Sequence, residues 1–278
     1  MDNLALWLYL YTVAMIVLCR EKGGCIMEIH KHSVFSFLIL LWFVSTSLVN
    51  VLYAKEVYLS PELYETFHPN DVINLFFGSV ALLLCTLKTV KTSRIFLPCR
   101  SAMLLFILYN AIASVYANTN GMDVVLLLLA IAAVLTLVET GQYQRLLGLG
   151  VATVHSKRYA SLLIVISSLF ILRSALQLLS KEASPGEKGV ALADILLCSL
   201  WLANGIGFLR NAAKCFIAAF ICYIHGSLLF LSLLLLFILQ PLLLGTAFPF
   251  VDFVVIAMMS TAFFIPLVLL AKEMQQLP

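Results

Sequence analysis

Apolar residues run along this chain in long unbroken stretches, with polar residues gathered in the short intervals between them. A helix that crosses a bilayer needs about 20 consecutive, mostly apolar residues. Nine stretches approach or exceed that length: 3–19, 33–53, 72–90, 101–118, 122–139, 159–179, 190–209, 215–239 and 248–271. A barrel strand would alternate apolar and polar positions. These runs do not alternate, so each predicts a helix that satisfies its own backbone inside the lipid. The intervals are too short for a soluble domain and contain no linker, low-complexity segment or block of charge.

Composition agrees with the pattern. Of 278 residues, 63% are hydrophobic and 11% charged, against about 45–50% apolar and about 25% charged in soluble chains. A soluble globule, a disordered chain and a disulfide scaffold are excluded. The expected fold is all-α: a polytopic transmembrane helix bundle with eight core helices and one further N-terminal helix.

The few charges set an orientation. Alternate intervals hold Arg20, Lys22 and Lys31; Lys88, Lys91, Arg94 and Arg100; Arg145, Lys157 and Arg158; Arg210 and Lys214; and Lys272. The other intervals hold Lys55, Lys181 and Lys188, and Arg173 lies inside a span. Cytoplasmic loops carry the excess of Lys and Arg, so the first set and the C-terminus are expected in the cytoplasm and the protein in the cell (cytoplasmic) membrane. The net charge of +3 is accounted for by these inward cations, and no nucleic-acid partner is expected. Cys19, Cys25, Cys99 and Cys215 fall near the cytoplasmic side, and Cys85, Cys198 and Cys222 inside spans. No disulfide is expected from that placement.

The first stretch stands apart. Asp2 and the lack of an N-terminal cation make it a poor secretory signal. Met27 opens Met-Glu-Ile-His-Lys-His just before the second stretch and would make a natural start. Residues 1–26 read as an anchor helix or an upstream extension, and 27–278 as a single membrane domain. Within it, 33–139 and 159–271 form two four-helix units. Each has an outer connection with Pro and charge, 54–70 and 180–189, followed by Asp71 or Asp194 near the start of the next helix. From each Asp to the first cation of the following turn is seventeen or sixteen residues. An even number of helices per unit makes the repeats parallel.

The stretch Asn70-Asp71-Val72-Ile73-Asn74-Leu75 with Gly78, and then Tyr109-Asn110, resembles a block found in an uncharacterised family of prokaryotic multi-pass membrane proteins. So does Ala191-Leu192-Ala193-Asp194-Ile195, running through Arg210 to Ala219. That family's basic turns read Arg-Arg-Gly or Arg-Arg-x-Pro, whereas here they read Lys88-Thr-Val-Lys91-Thr-Ser-Arg94 and Arg210-Asn-Ala-Ala-Lys214. The resemblance implies an eight-helix membrane core and no activity.

Ionisable groups inside a membrane are functional candidates by default. Arg173 lies about seven residues, roughly 10 Å, from the outer end of its helix. Asp194 lies at a comparable depth in the next helix, and Asp252 at the edge of the last. Arg173 and Asp194 read either as a buried ion pair or as an outward binding site in which Arg173 takes an anionic group. Asp71 reads as the N-cap of a helix beginning there, or as an outward cation or proton site. His225, Asn204 and Asn110 sit at mid-depth and read as interhelical hydrogen bonding or as the lining of a polar pathway. A single intramembrane His does not make a two-His haem site. Glu28, His30 and His32 read as a solvated helix start. Ser60 and Pro61 start a short interfacial helix, with Leu63, Tyr64 and Phe67 facing the membrane. Residues 142–159 read as an amphipathic surface helix.

No metalloprotease, nucleophile-elbow, P-loop or dinucleotide fingerprint occurs, so the residue sets of familiar membrane enzymes are missing and no cofactor is expected. Two functions compete, ahead of a lipid-active enzyme, for which the sequence offers few groups. One is transport or permeation of a small solute or ion, with a cavity reaching Arg173, Asp194, Asn204 or His225. The other is a non-transporting sensor or scaffold, acting as a homo-oligomer or with a membrane partner through an exposed face of Ala203, Gly205 and Gly207.

Overall fold

The computed structural model describes residues 25–89, 95–117, 121–139 and 156–275, with side chains omitted at 25–34, 88–89, 117, 135–139 and 213–214. The expected first span, the surface segment up to residue 155, and the side chains of Glu28, His30 and His32 lie outside the described residues. In chain order the helices are α1 (Cys25–Leu52), a short α2 (Ala54–Val57), α3 (Pro61–Ile73), α4 (Ser79–Thr89), α5 (Phe96–Ala117), α6 (Gly121–Glu139), α7 (Ser156–Leu179), α8 (Pro185–Arg210), α9 (Ala212–Leu244) and α10 (Phe250–Gln275). No strand occurs among the described residues. Among the described residues, seven helices are long and apolar enough to cross a membrane, counting α3–α4 as one, and α6 is a shorter apolar helix. The chain is an integral membrane helix bundle.

Helix α5 is the hub. Some 72% of its apolar stretch is inside the bundle, against 17% for α7 and α9, and it packs on α4, α6, α8 and α9. Helices α7 and α8 form a close antiparallel hairpin. Gly205 makes this possible: a Cβ there would meet Ile164 Cγ1 at 2.9 Å. Gly205 is therefore buried between helices and is not part of an exposed small-residue face. Helices α9 and α10 meet at Gly226, where a Cβ would lie 2.2 Å from the Phe263 ring.

The third crossing differs from expectation. It does not start at Asp71 behind a separate interfacial helix. Pro61–Ile73 continues through a π-helical turn, Asn74–Gly78, into Ser79–Thr89. Ser60 is the N-cap, its Oγ accepting from the Leu63 N–H at 3.2 Å. Pro69 lies inside the helix. A proline has no N–H to give to the carbonyl four residues earlier, here that of Glu65. Gln240 Nε2 of α9 donates to that carbonyl instead, at 3.4 Å, and neighbouring helices commonly satisfy backbone freed by proline in this way. Leu63 and Phe67 are buried against Ala113 and Ala193 and do not face lipid. At the start of α8, Ser184 and Glu187 form a reciprocal capping box.

Candidate functional site

Two polar assemblies occupy the end of the bundle that carries the connections 53–60 and 180–184. The first surrounds a cavity of about 230 Å³ between α3, α5, α7, α8 and α9. Its polar lining includes Thr66, Asn70, Tyr109, Asn110, Arg173, Asp194 and Ser232, set among Phe67, Phe106, Phe170, Trp201 and Phe230. Asp194 is buried, and its two oxygens accept from Tyr109 Oη at 3.0 Å and Ser174 Oγ at 3.1 Å. Arg173 is exposed and lines the same cavity. It lies near enough for its charge to act on the Asp194 carboxylate, while Tyr109 and Ser174 donate the hydrogen bonds that hold that carboxylate. The guanidinium is thereby left at the cavity wall. Asn110 orders the opposite wall: its Nδ2 donates to the Phe106 carbonyl at 2.9 Å. Its Oδ1 accepts from Asn70 Nδ2 at 2.9 Å and from Asn74 Nδ2 at 3.4 Å.

The second assembly lies between α1, α3 and α6. Asp71 is an interior helix residue, 5% exposed, and not an N-cap. Tyr58 Oη donates to its Oδ2, and Asn50 Nδ2 lies 3.5 Å from its Oδ1. Burial, and then the neighbouring Asp71 charge, push the Tyr58 phenol well above its ordinary range, so Tyr58 acts as a donor. Asp123, in the first turn of α6, is 3% exposed and acts electrostatically on both Asp71 and Tyr58.

Of the six sequence candidates, the structure brings Arg173, Asp194 and Asn110 to the cavity. Asp71 joins the neighbouring assembly. Asn204 and His225 are in neither. Asn204 Nδ2 is spent on the Leu200 carbonyl of its own helix at 2.8 Å. His225 is fully buried, its Nδ1 accepting from Trp201 Nε1 at 3.1 Å; it supports the back of a cavity-wall residue without reaching the cavity. Arg100, counted with the solvated turn, lies a helical turn inside α5 at 1% exposure and acts electrostatically on Cys85, which is hydrogen-bonded to Cys99.

Sequence reasoning passed over Tyr109, Asn50, Asn74 and Asp123 as site residues. Asp123 carried the plainest signal, a carboxylate at the start of an apolar run. The three others are polar groups in otherwise apolar helices. No protein-family model, curated protein or solved structure matches the chain.

Proposed function

We propose that this protein binds a small solute in the cavity beside Arg173 and passes it across the cell membrane. The observation carrying this reading is the cavity itself, which combines one exposed guanidinium with fixed hydrogen-bonding groups and aromatic walls. Pockets for drug-sized ligands run to about 300–1,000 Å³, so about 230 Å³ suits a smaller molecule. An anionic group would meet Arg173, and an apolar body would lie against Phe106, Phe170 and Phe230. The excess of Lys and Arg in the intervals at the opposite end supports an outward-facing cavity and a cytoplasmic C-terminus.

The two-unit organisation belongs to the same proposal. Asp71 reaches Asn50, and Asp194 reaches Ser174, so each bonds a polar residue about a helix-length earlier on the preceding antiparallel helix. That equivalence supports a duplicated helix pair.

The test uses purified full-length protein and two probes, benzoate and hexanoate, as small carboxylates with an aromatic or aliphatic body. Saturable quenching of tryptophan fluorescence, Trp201 lying in the cavity wall, is expected for at least one probe. Arg173→Ala should weaken it at least about tenfold, the scale of a lost charged hydrogen bond. Proteoliposomes should then accumulate the labelled probe that binds. Absence of saturable binding by both probes, or binding without uptake, would overturn the transport reading.

A further inference from the structure

The polar groups around Asp71 are in excess of what the helices need. Three buried side-chain oxygens there have no hydrogen-bond partner: Thr46 Oγ1, Asn50 Oδ1 and Asn74 Oδ1. Their residues are 3%, 1% and 4% exposed. Orphaned buried acceptors are uncommon and call for a reason. The orientation of the Asn50 amide is fixed by Asp71, which requires a donor from it, so its oxygen is the free end.

These oxygens share two adjacent levels of the bundle. Trp42 Nε1 donates to the Met122 carbonyl at 2.9 Å, and a Cβ on Gly78 would touch Phe43 at 3.1 Å. These contacts align α1, the π turn and the start of α6. One turn further toward the cavity end come Thr46 on α1 and Asn74 in the π turn, while Asp123 directly follows Met122 in α6 and acts electrostatically on Asp71. The next level holds Asn50 and Asp71 beneath Tyr58. Thr46 and Asn50 are four residues apart and share a helix face, as do Asp71 and Asn74 three apart. The π turn begins at Asn74, and such turns are frequent at functional sites.

We propose that Thr46, Asn50, Asp71, Asn74 and Asp123 form a binding site for a monovalent hard cation, sodium in the first instance. All the available donors are oxygens, which suit hard cations. No group of three His, Cys, Asp or Glu able to hold a metal occurs among the described residues, so this is not a transition-metal centre. Tyr58 and Asn50 already donate to both oxygens of Asp71, which occupies part of its capacity to coordinate an ion and favours a monovalent ion over calcium, whose sites need more carboxylate ligation. A carboxylate in the first turn of α6 also complements the helix dipole, but that does not account for three orphaned oxygens on two other elements. The site is separate from the solute cavity, and its occupancy requires no solute.

The experiment is thermal melting of the purified full-length protein, without added solute, in sodium, potassium or choline chloride at constant ionic strength, and with added calcium. Sodium should raise the melting temperature saturably by about 2–5 °C over choline, the size expected when a ligand binds only the folded state. Thr46→Val keeps the side-chain shape and should raise the half-maximal sodium concentration at least about tenfold. Asp123→Asn should abolish the response. Equal melting in all salts, stabilisation by calcium but not sodium, stabilisation by lower pH with no cation dependence, or an unchanged sodium response in both variants would overturn the proposal. A failure of probe binding in the cavity leaves these outcomes untouched, so the two readings fail separately.

Discussion

At the scale of single residues, the bundle depends on polar side chains that hold one another in place. Tyr109 is the clearest case, since it donates to Asp194 while lining the cavity. Removing one donor from a buried carboxylate costs about 1–3 kcal/mol. Tyr109→Phe should lower stability by that amount in a detergent melting experiment. The loss should largely vanish in an Asp194→Asn background, because the two positions form one interaction; equal losses in both backgrounds would mean that Tyr109 acts through packing alone. Arg173, Asp194 and Asn110 were legible in the sequence because a polar residue in an apolar run is conspicuous. Their partners were not. Whether Asp194 meets Arg173 or Tyr109 depends on the rotation of α5 against α8, and nothing in the local sequence specifies that rotation.

Helices were the most legible level, since long apolar runs leave the backbone few alternatives in lipid. The third crossing shows where this stops. Pro69-Asn70-Asp71 has the composition of a helix start, yet the helix passes through it. The freed Glu65 carbonyl finds Gln240, some 175 positions away in sequence, and no local pattern carries such information. Close contacts between helices are similarly tertiary. Gly226 allows α9 to approach the Phe263 ring of α10, and Gly226→Ala would place a methyl 2.2 Å from that ring. The phenyl group is fully buried among Trp201, Tyr223 and Phe230 and has little room to yield. Overpacking of this kind costs typically about 1–3 kcal/mol. The variant should melt at a lower temperature, with no change in the sodium response; wild-type stability would mean that α10 shifts freely on α9.

For the whole molecule, the asymmetry of charge makes a prediction about which face is outside. The segment around Lys181 and Glu182 joins α7 to α8 at the cavity end, and Asn211 joins α8 to α9 at the other. A protease site inserted at Lys181–Glu182 should be cut on intact cells, whereas one at Asn211 should be cut only when the cytoplasmic face is exposed. The opposite pattern would reverse the orientation, and the cavity would open inward. The all-α bundle followed from the sequence, although among the described residues seven helices, not eight, are long and apolar enough to cross, α6 being shorter. The convergence of α3, α5, α7, α8 and α9 on one cavity did not, because it is set by which helices neighbour one another.

Asn110 stands between the two assemblies, bonded to Asn70 in the cavity wall and to Asn74 beside Asp71. Both lone pairs of its amide oxygen are taken, so Asn74 cannot turn toward an ion without changing what Asn110 offers to Asn70. Two ligands sharing such a hinge are thermodynamically linked, and linkage is reciprocal. Whatever factor the ion applies to the affinity for solute, the solute must return to the affinity for ion. On the two proposals together, the amide of Asn110 would couple occupancy of the ion site to occupancy of the cavity.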